Sequence, residues 1–115
     1  MGFITGKPST IKIVTVGDST ETTASIIMNT NSEYRFADMV SLEVTLPGYI
    51  ANDYAAYIVF TSGETATEII YPDSLKWSGD DVIDGVLTPL PLHRYNIGIW
   101  FDGLAVNAVS RSVSI

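Results

Sequence analysis

The stretch YNIGIWFDGLAVNAV, residues 95 to 109, sets the fold class because two β-rich runs flank the dipeptide Asp102-Gly103. Asp-Gly supplies the positive φ angles of a type I′ turn, so the spacing predicts a hairpin with a two-residue loop. The predicted cross-strand pairs are Phe101 with Leu104, Ile99 with Val106 and Ile97 with Ala108. All of these side chains are apolar, so this face of the hairpin should be covered by other parts of the protein.

The opposite face of the predicted hairpin has mixed chemistry. It carries Arg94, Asn96, Gly98, Trp100, Ala105, Asn107 and Val109. Burial in a single core does not account for Trp100 on this face, so this tryptophan is a candidate contact residue.

Two earlier runs extend the β interpretation. Residues Tyr54 to Thr61 are apolar on both faces, which predicts a central strand covered on both sides. Residues Met39 to Leu46 alternate in polarity and end at Pro47-Gly48. In this run Val40, Leu42, Val44 and Leu46 are predicted to face the core, and Met39, Ser41, Glu43 and Thr45 the wetter side.

Shorter runs complete the predicted set of strands. They are Thr10 to Val16, Thr23 to Met28 and Ala66 to Tyr71, with a turn over residues 17 to 20 and a linker over Asn29 to Ser32. Strands at this spacing predict an all-β fold, either an antiparallel, jelly-roll-like β-sandwich or a small barrel, closed by the C-terminal β-hairpin. We expect one β domain over residues 1–115, with residues 1–9 as a candidate extended arm.

Composition bounds the possible functions. The 115 residues are 46% hydrophobic and 17% charged, which is typical of a packed globule. A net charge of -7 disfavours binding to nucleic acid or anionic lipid. The chain has no cysteine for disulfides or thiolate chemistry, and no run of signal-peptide or membrane-span length.

The sequence offers little material for catalysis. His93 is the only histidine, and its position in the loop before the hairpin predicts a surface or hydrogen-bonding role. The sequence contains none of the common nucleophile, phosphate-loop, dinucleotide or zinc-protease motifs. We therefore expect a protein that is not an enzyme and needs no cofactor.

Three aspartates in SGDDVIDG, residues 78 to 85, invite comparison with a calcium site. Asp80, Asp81 and Asp84 supply carboxylates, but the alternating order of a calcium loop and its late glutamate are missing. A solvated acidic turn is preferred over a calcium site, so no metal site is predicted. Catalysis through one of these aspartates is a further hypothesis for the function of the protein. Asp73, after Pro72, similarly reads as a turn residue.

Four aromatic residues are candidates for contact with a ligand or partner. Tyr71, Trp77, Tyr95 and Trp100 could form a flat platform for sugar rings. Packing in the core or at a subunit interface explains them at least as well, and the sequence leaves both open.

The second half of the chain resembles a β module of tailed-bacteriophage virion proteins. The resemblance rests on YAAYIVFTSG (54–63), IYPDSLKW (70–77) with Gly79 after it, and residues 95–103 with the β run that follows. It covers roughly residues 39 to 110 and is similar to modules of head fibres, tail fibres and capsid decorations. Fibre proteins are commonly longer, with an N-terminal shaft.

The resemblance implies a structural protein on the virion surface, without cofactor or reaction. Its expected partners are like subunits, with a homotrimer favoured, and other virion proteins; host attachment is a further expectation. Pro72 and Asp73 would end a strand, Trp77 would cover the sheet while Lys76 stays in water, and Asp102-Gly103 would turn the last hairpin. The alternative is a carbohydrate-binding module that recognises a bacterial surface glycan through Trp77, Trp100 or Tyr95.

Overall fold

In a computed structural model of the protein, the structure describes the backbone of residues 12–15 and the whole of residues 22–115. This part of the chain contains strands and turns and no helix, which confirms the all-β prediction. The strands are β1 (Lys12–Thr15), β2 (Thr23–Ile27), β3 (Ser32–Asp38), β4 (Ser41–Thr45), β5 (Ala55–Ser62), β6 (Glu68–Ile70), β7 (Lys76–Gly79), β8 (Val82–Ile83), β9 (Val86–Leu87), β10 (His93–Phe101) and β11 (Val106–Ser114). The predicted N-terminal arm over residues 1–9, the turn over residues 17–20 and the ends of the strand Thr10 to Val16 lie outside the described residues.

The strands form three sheets, and none of them closes into a barrel within residues 12–15 and 22–115. A six-stranded sheet has the order β1-β3-β5-β10-β11-β7, a three-stranded sheet has the order β2-β4-β6, and β8 pairs with β9. The prediction of an antiparallel fold is only partly correct, because β10 pairs antiparallel with β5 and β11, and β8 with β9, but the remaining pairings are parallel. Both β1 and β5 run parallel to β3, β7 runs parallel to β11, and the three-stranded sheet is parallel throughout.

Parallel pairing follows from the path of the chain between the two larger sheets. Strands β1, β3 and β5 belong to the six-stranded sheet, and β2, β4 and β6 belong to the three-stranded sheet. Because the chain visits the other sheet after each of these strands, it returns to the first sheet in the same direction as before. The alternation of polar and apolar residues along a strand does not indicate whether that strand pairs parallel or antiparallel with its neighbours.

The central position predicted for residues 54 to 61 is confirmed. Strand β5 lies between β3 and β10, and its side chains are buried on both faces from Ala56 onward. Ala56, Ile58 and Phe60 belong to the main core, whereas Tyr57 and Val59 are buried on the opposite face.

The predicted run Met39 to Leu46 is only partly correct. Leu42 and Val44 of β4 are buried as predicted, but Met39 is 3% exposed and Val40 is 44% exposed, the reverse of the prediction. The Met39 amide donates to Thr61 O in the large sheet and the Val40 amide donates to Thr22 O beside the small sheet. The chain changes sheets between these two residues, so the alternation restarts there.

The C-terminal hairpin is confirmed, but its predicted register is wrong by two residues. Phe101 pairs with Val106, and the same register places Ile99 opposite Ala108. The loop therefore has four residues, 102–105, and Leu104 is 94% exposed instead of facing Phe101. Because a shift of two residues preserves alternation, Val106 and Ala108 still lie on the buried face.

One buried cluster joins the two larger sheets. The large sheet contributes among others Tyr34, Ile58 and Tyr95, and the small sheet contributes Leu42 and Val44. The opposite faces of both sheets point away from this cluster. These outward faces and the loops between strands are the surfaces on which a function can be built.

Candidate functional site

The aromatic residues of IYPDSLKW close the core. Trp77 is 9% exposed, and its ring centroid lies 4.9 Å from that of Tyr71, at an interplanar angle of 55°. The Tyr71 hydroxyl accepts a hydrogen bond of 3.1 Å from the Leu87 amide. Lys76 is exposed, so Trp77 covers the sheet while its neighbour stays in water, as predicted. Pro72 and Asp73 follow the end of β6, also as predicted.

Tyr95 is fully buried and joins four parts of the chain. Its ring stacks on Phe60 with centroids 5.1 Å apart. Its hydroxyl donates to Asp81 Oδ2 at 2.7 Å and accepts from the Leu90 amide at 2.7 Å. Burial and the hydrogen bond to Asp81 raise the pKa of Tyr95 to about 12. This side chain holds the fold and offers no surface to a glycan.

The aspartates at residues 80 and 81 are also structural. Asp81 Oδ2 accepts hydrogen bonds from Ser112 Oγ at 3.1 Å and from Tyr95, and Asp80 Oδ2 accepts from the Ser112 amide at 2.9 Å. Asp84 lies apart from them, in the turn between β8 and β9. Within the described ranges, no group of three or more His, Cys, Asp or Glu side chains is placed to hold a metal ion.

His93 begins β10, and its ring donates a hydrogen bond to the backbone of the preceding loop. Its Nδ1 lies 2.8 Å from Pro91 O, which confirms a hydrogen-bonding role.

Trp100, one of the predicted contact residues, borders an open cleft. The cleft has a volume of about 440 Å³ and is lined by Asn52, Asp53, Tyr54, Ala55, Trp100, Phe101, Asp102 and Gly103. It lies where the turn before β5 meets the loop after β10. No local pattern indicates that Asn52 and Asp53 belong to this cleft, because they are far from Trp100 along the chain.

Two carboxylates give the cleft an acidic rim. Asp102 Oδ1 accepts from the amides of Leu104 and Ala105, at 2.8 Å each, and Oδ2 accepts from Asn107 Nδ2 at 2.9 Å. These hydrogen bonds, first among them the one from Ala105, lower the pKa of Asp102. The carboxylate therefore remains charged at neutral pH, beside the exposed side chain of Asp53.

The outward face of the large sheet carries all three arginines of the chain. Arg35, Arg94 and Arg111 alternate with the core residues of β3, β10 and β11, so they point away from the core. Arg35 forms a salt bridge with the buried Glu33. Arg94 was predicted on this face of the hairpin, but only the strand order and the observed register bring Arg35 and Arg111 to the same face.

No helix in the part of the chain that the structure describes could cross a membrane.

Comparisons with models of protein families, with curated proteins and with solved structures gave no match. The resemblance to phage virion modules therefore stays a prediction, and the function has to be argued from the geometry.

Proposed function

We propose that this chain is a non-enzymatic structural protein of a bacteriophage virion, located in a head fibre, a tail fibre or the capsid decoration. On this proposal it assembles as a homo-oligomer, with a trimer favoured, and contacts other virion proteins or the host surface. One core cluster shared by two sheets supports a sandwich-like module of the kind such appendages use.

The observation that carries the proposal is that the recognised sequence pattern serves to hold strands together. Trp77 and Tyr71 pack on each other beside the core, Tyr95 and Asp81 form a buried hydrogen bond, and Asp102 closes the last loop. Each of these side chains makes a contact that holds parts of the fold together. A structural role of the protein explains why these residues hold its strands and loops together.

Labelling of particles tests the location directly. An antibody raised against the purified chain is applied to phage particles released from cells that carry the coding sequence, and bound gold is viewed by electron microscopy. We expect gold at one structure of the head or tail. Detection of the chain only in the particle-free fraction would overturn the proposal.

Solution mass tests the assembly. Light scattering on a sizing column, over a range of concentrations, should give a discrete trimer or dimer. A chain that remains monomeric at high micromolar concentration and also fails to bind the particles would contradict the proposed role.

A second candidate function, carbohydrate binding, is favoured by the cleft beside Trp100. Sugar sites combine an aromatic ring with hydrogen-bonding side chains, and here Trp100 shares a cleft with Asn52, Asp53 and Asp102. The acidic rim repels anionic sugars, so the expected ligands are neutral glycans.

The two tryptophans allow a matched fluorescence test of this candidate. Neutral and acidic oligosaccharides are titrated against Trp100→Phe, which retains only Trp77, and against Trp77→Phe, which retains only Trp100. We expect a saturable change with neutral sugars in wild type and Trp77→Phe, and none in Trp100→Phe. A signal that persists in Trp100→Phe, or a preference for acidic sugars, would exclude this cleft as the site.

A further inference from the structure

Two arginines on the outward face of the large sheet lack an acidic partner among residues 22–115. Arg94 donates one hydrogen bond, to Thr61 Oγ1 at 3.3 Å. Neither Arg94 nor Arg111 forms an ion pair within residues 12–15 and 22–115, unlike Arg35 with Glu33. In an acidic protein, two unpaired guanidinium groups on one face are suited to bind carboxylates from outside.

These arginines belong to a compact group of four side chains, which we name the arginine block: Arg94, Asn96, Arg111 and Val113. Arg94 lies opposite Val113, and Asn96 lies opposite Arg111. All four are exposed, and Val113 is 61% exposed. The two arginines occupy one diagonal of the block, with Cα atoms about 8 Å apart by standard sheet spacings.

The outward face of the small sheet carries a matching group, which we name the glutamate block: Ser41, Glu43, Glu68 and Ile70. Ser41 lies opposite Glu68, and Glu43 lies opposite Ile70. The two glutamates therefore occupy one diagonal, again about 8 Å apart. Both are exposed, and Ile70 is 46% exposed. Glu43 accepts one hydrogen bond, from Ser25 Oγ at 3.2 Å.

The two blocks are complementary in charge, spacing and polarity. Each has two like charges on one diagonal, with one exposed apolar residue and one uncharged polar residue at the other corners. The arginine diagonal of one copy can lie over the glutamate diagonal of another copy in two orientations, related by half a turn. In one of these orientations Val113 lies over Ile70. In that orientation an arginine faces a glutamate on each side of the contact between Val113 and Ile70. Specific interfaces combine apolar and charged contacts in this way.

We propose that the arginine block of one copy docks on the glutamate block of a second copy. The blocks lie on different sheets and both point away from the shared core, so the contact is head-to-tail. A head-to-tail contact leaves one free block at each end of a dimer, and it therefore continues into a closed ring, such as a trimer, or an open stack. This inference rests on the proposed homo-oligomeric role and names the surfaces that make the contact.

The contact is small, because each block spans two strands. A standard interface buries about 800 Å² per partner, so the blocks alone give weak association that grows with concentration. The attraction between the charges acts over about 10 Å at moderate ionic strength, so it should weaken as salt is added.

Two charge-reversed variants of the full chain test the proposal by sedimentation velocity. Arg94→Glu with Arg111→Glu removes the arginine block, and Glu43→Arg with Glu68→Arg removes the glutamate block. All four positions are exposed, so the fold is retained, which circular dichroism and thermal melting verify. Lys76→Glu, at another exposed cation of the same sheet, is the matched control.

We expect the average mass of the wild type and of Lys76→Glu to rise with concentration. Each double variant alone should stay at the mass of one chain, with association weakened at least about tenfold. In an equimolar mixture of the two variants, each acidic block meets a basic block of the other variant, so the mixture should associate again and its average mass should rise with concentration.

Several outcomes would overturn the head-to-tail contact. These are association of either variant alone at the wild-type level, failure of the mixture to associate, and a wild type that stays monomeric at every concentration. The virion location is judged separately by antibody labelling of particles, so failure of this contact and failure of the proposed function are distinguishable.

Discussion

At Asp84-Gly85 the chain reverses within two residues, whereas at Asp102-Gly103 it uses four. Asp84 and Gly85 have φ angles of 52° and 77°, as a type I′ turn requires. At the second site only the glycine has a positive φ, of 94°. The carboxylate of Asp102 instead accepts hydrogen bonds from two following amides. The tight turn predicted at Asp102-Gly103 is thus found at Asp84-Gly85.

The strands beside each dipeptide explain the difference. Strands β8 and β9 form a sheet of their own, so no third strand fixes the register that the Asp-Gly dipeptide favours. Strands β10 and β11 are held by a distant group, because Asp81 accepts hydrogen bonds from both Tyr95 and Ser112, which are cross-strand partners. A two-residue loop would place Ser110 opposite Tyr95 and would break this arrangement. Turn chemistry therefore decides a register only where no tertiary contact competes with it.

The largest expected effect comes from Gly79, which fixes the strand beside the longer hairpin. Its φ is +103°, and an added Cβ would lie 2.2 Å from Ser110 O. Gly79→Ala should therefore displace β7 from β11 and destabilise the protein by about 3–5 kcal/mol. Urea unfolding measures the change. Gly48→Ala, where a Cβ meets nothing within 4 Å, should change stability little and serves as the control. Equal effects of the two substitutions would contradict the close approach at Gly79.

Removal of the Tyr95 hydroxyl should have the next largest effect, because this hydroxyl links the β10–β11 hairpin to Asp81 beside the β8–β9 hairpin. Tyr95→Phe leaves the Leu90 amide and Asp81 without this buried partner, at a cost of about 1–3 kcal/mol. The folded-state pKa of about 12 lies above the ordinary value of 10, so the stabilisation is complete below pH 10. It is lost as the pH rises toward 12. Chemical unfolding at several alkaline pH values should show a shallower loss for Tyr95→Phe; an unchanged slope would argue against the role of this hydroxyl.

A smaller effect is expected from Asp102, which closes the longer loop. Asp102→Asn should lower the melting temperature at neutral pH, because its neutral amide oxygen accepts the two backbone hydrogen bonds less strongly and its NH2 group cannot accept the one from Asn107. The pKa of Asp102 is lowered in the folded protein. Its contribution is therefore present above the ordinary aspartate range and lost as the pH falls through the lower folded value. Thermal melts of both proteins should converge at acid pH. A constant difference at all pH values would show that the charge is not responsible.

The smallest expected effect distinguishes the two registers of the longer hairpin. Leu104→Asp should change stability by less than about 0.5 kcal/mol, because Leu104 is 94% exposed. Val106→Asp should be strongly destabilising, because Val106 is 8% exposed and faces the core. Denaturant midpoints measure both. A severe effect of Leu104→Asp would support the two-residue loop instead.

The strands that could be predicted are those whose pattern is local and continuous. The central strand over residues 54 to 61 is apolar on both faces and was found, as was Thr23 to Met28 within one residue. Strand β3 was missed because Glu33, Arg35 and Asp38 obscure its apolar residues. Its alternation of buried Tyr34 and Phe36 with exposed Arg35 was nevertheless present in the sequence.

The candidate surfaces depended on information that no single stretch contains. Trp100 was predicted on the outward face of the hairpin, but Asn52 and Asp53 join it only through the loop before β5. Arg94 and Arg111 become diagonal neighbours only in the observed register, and Glu43 and Glu68 only when β4 pairs with β6. Trp77 and Tyr95 were sequence candidates for contact, and the pairing of distant strands buries both.

The alternation of strands between two sheets also has a consequence for biosynthesis. In the described part of the chain, consecutive strands pair with each other only at β8–β9 and β10–β11. Strands β1 to β5 leave the ribosome before β10, the partner that covers the second edge of β5. In the nascent first half, strands therefore pair only across an intervening strand, and the second edge of β5 stays unpaired until β10 emerges. Productive folding should wait for the later hairpin and should depend on holding chaperones during translation.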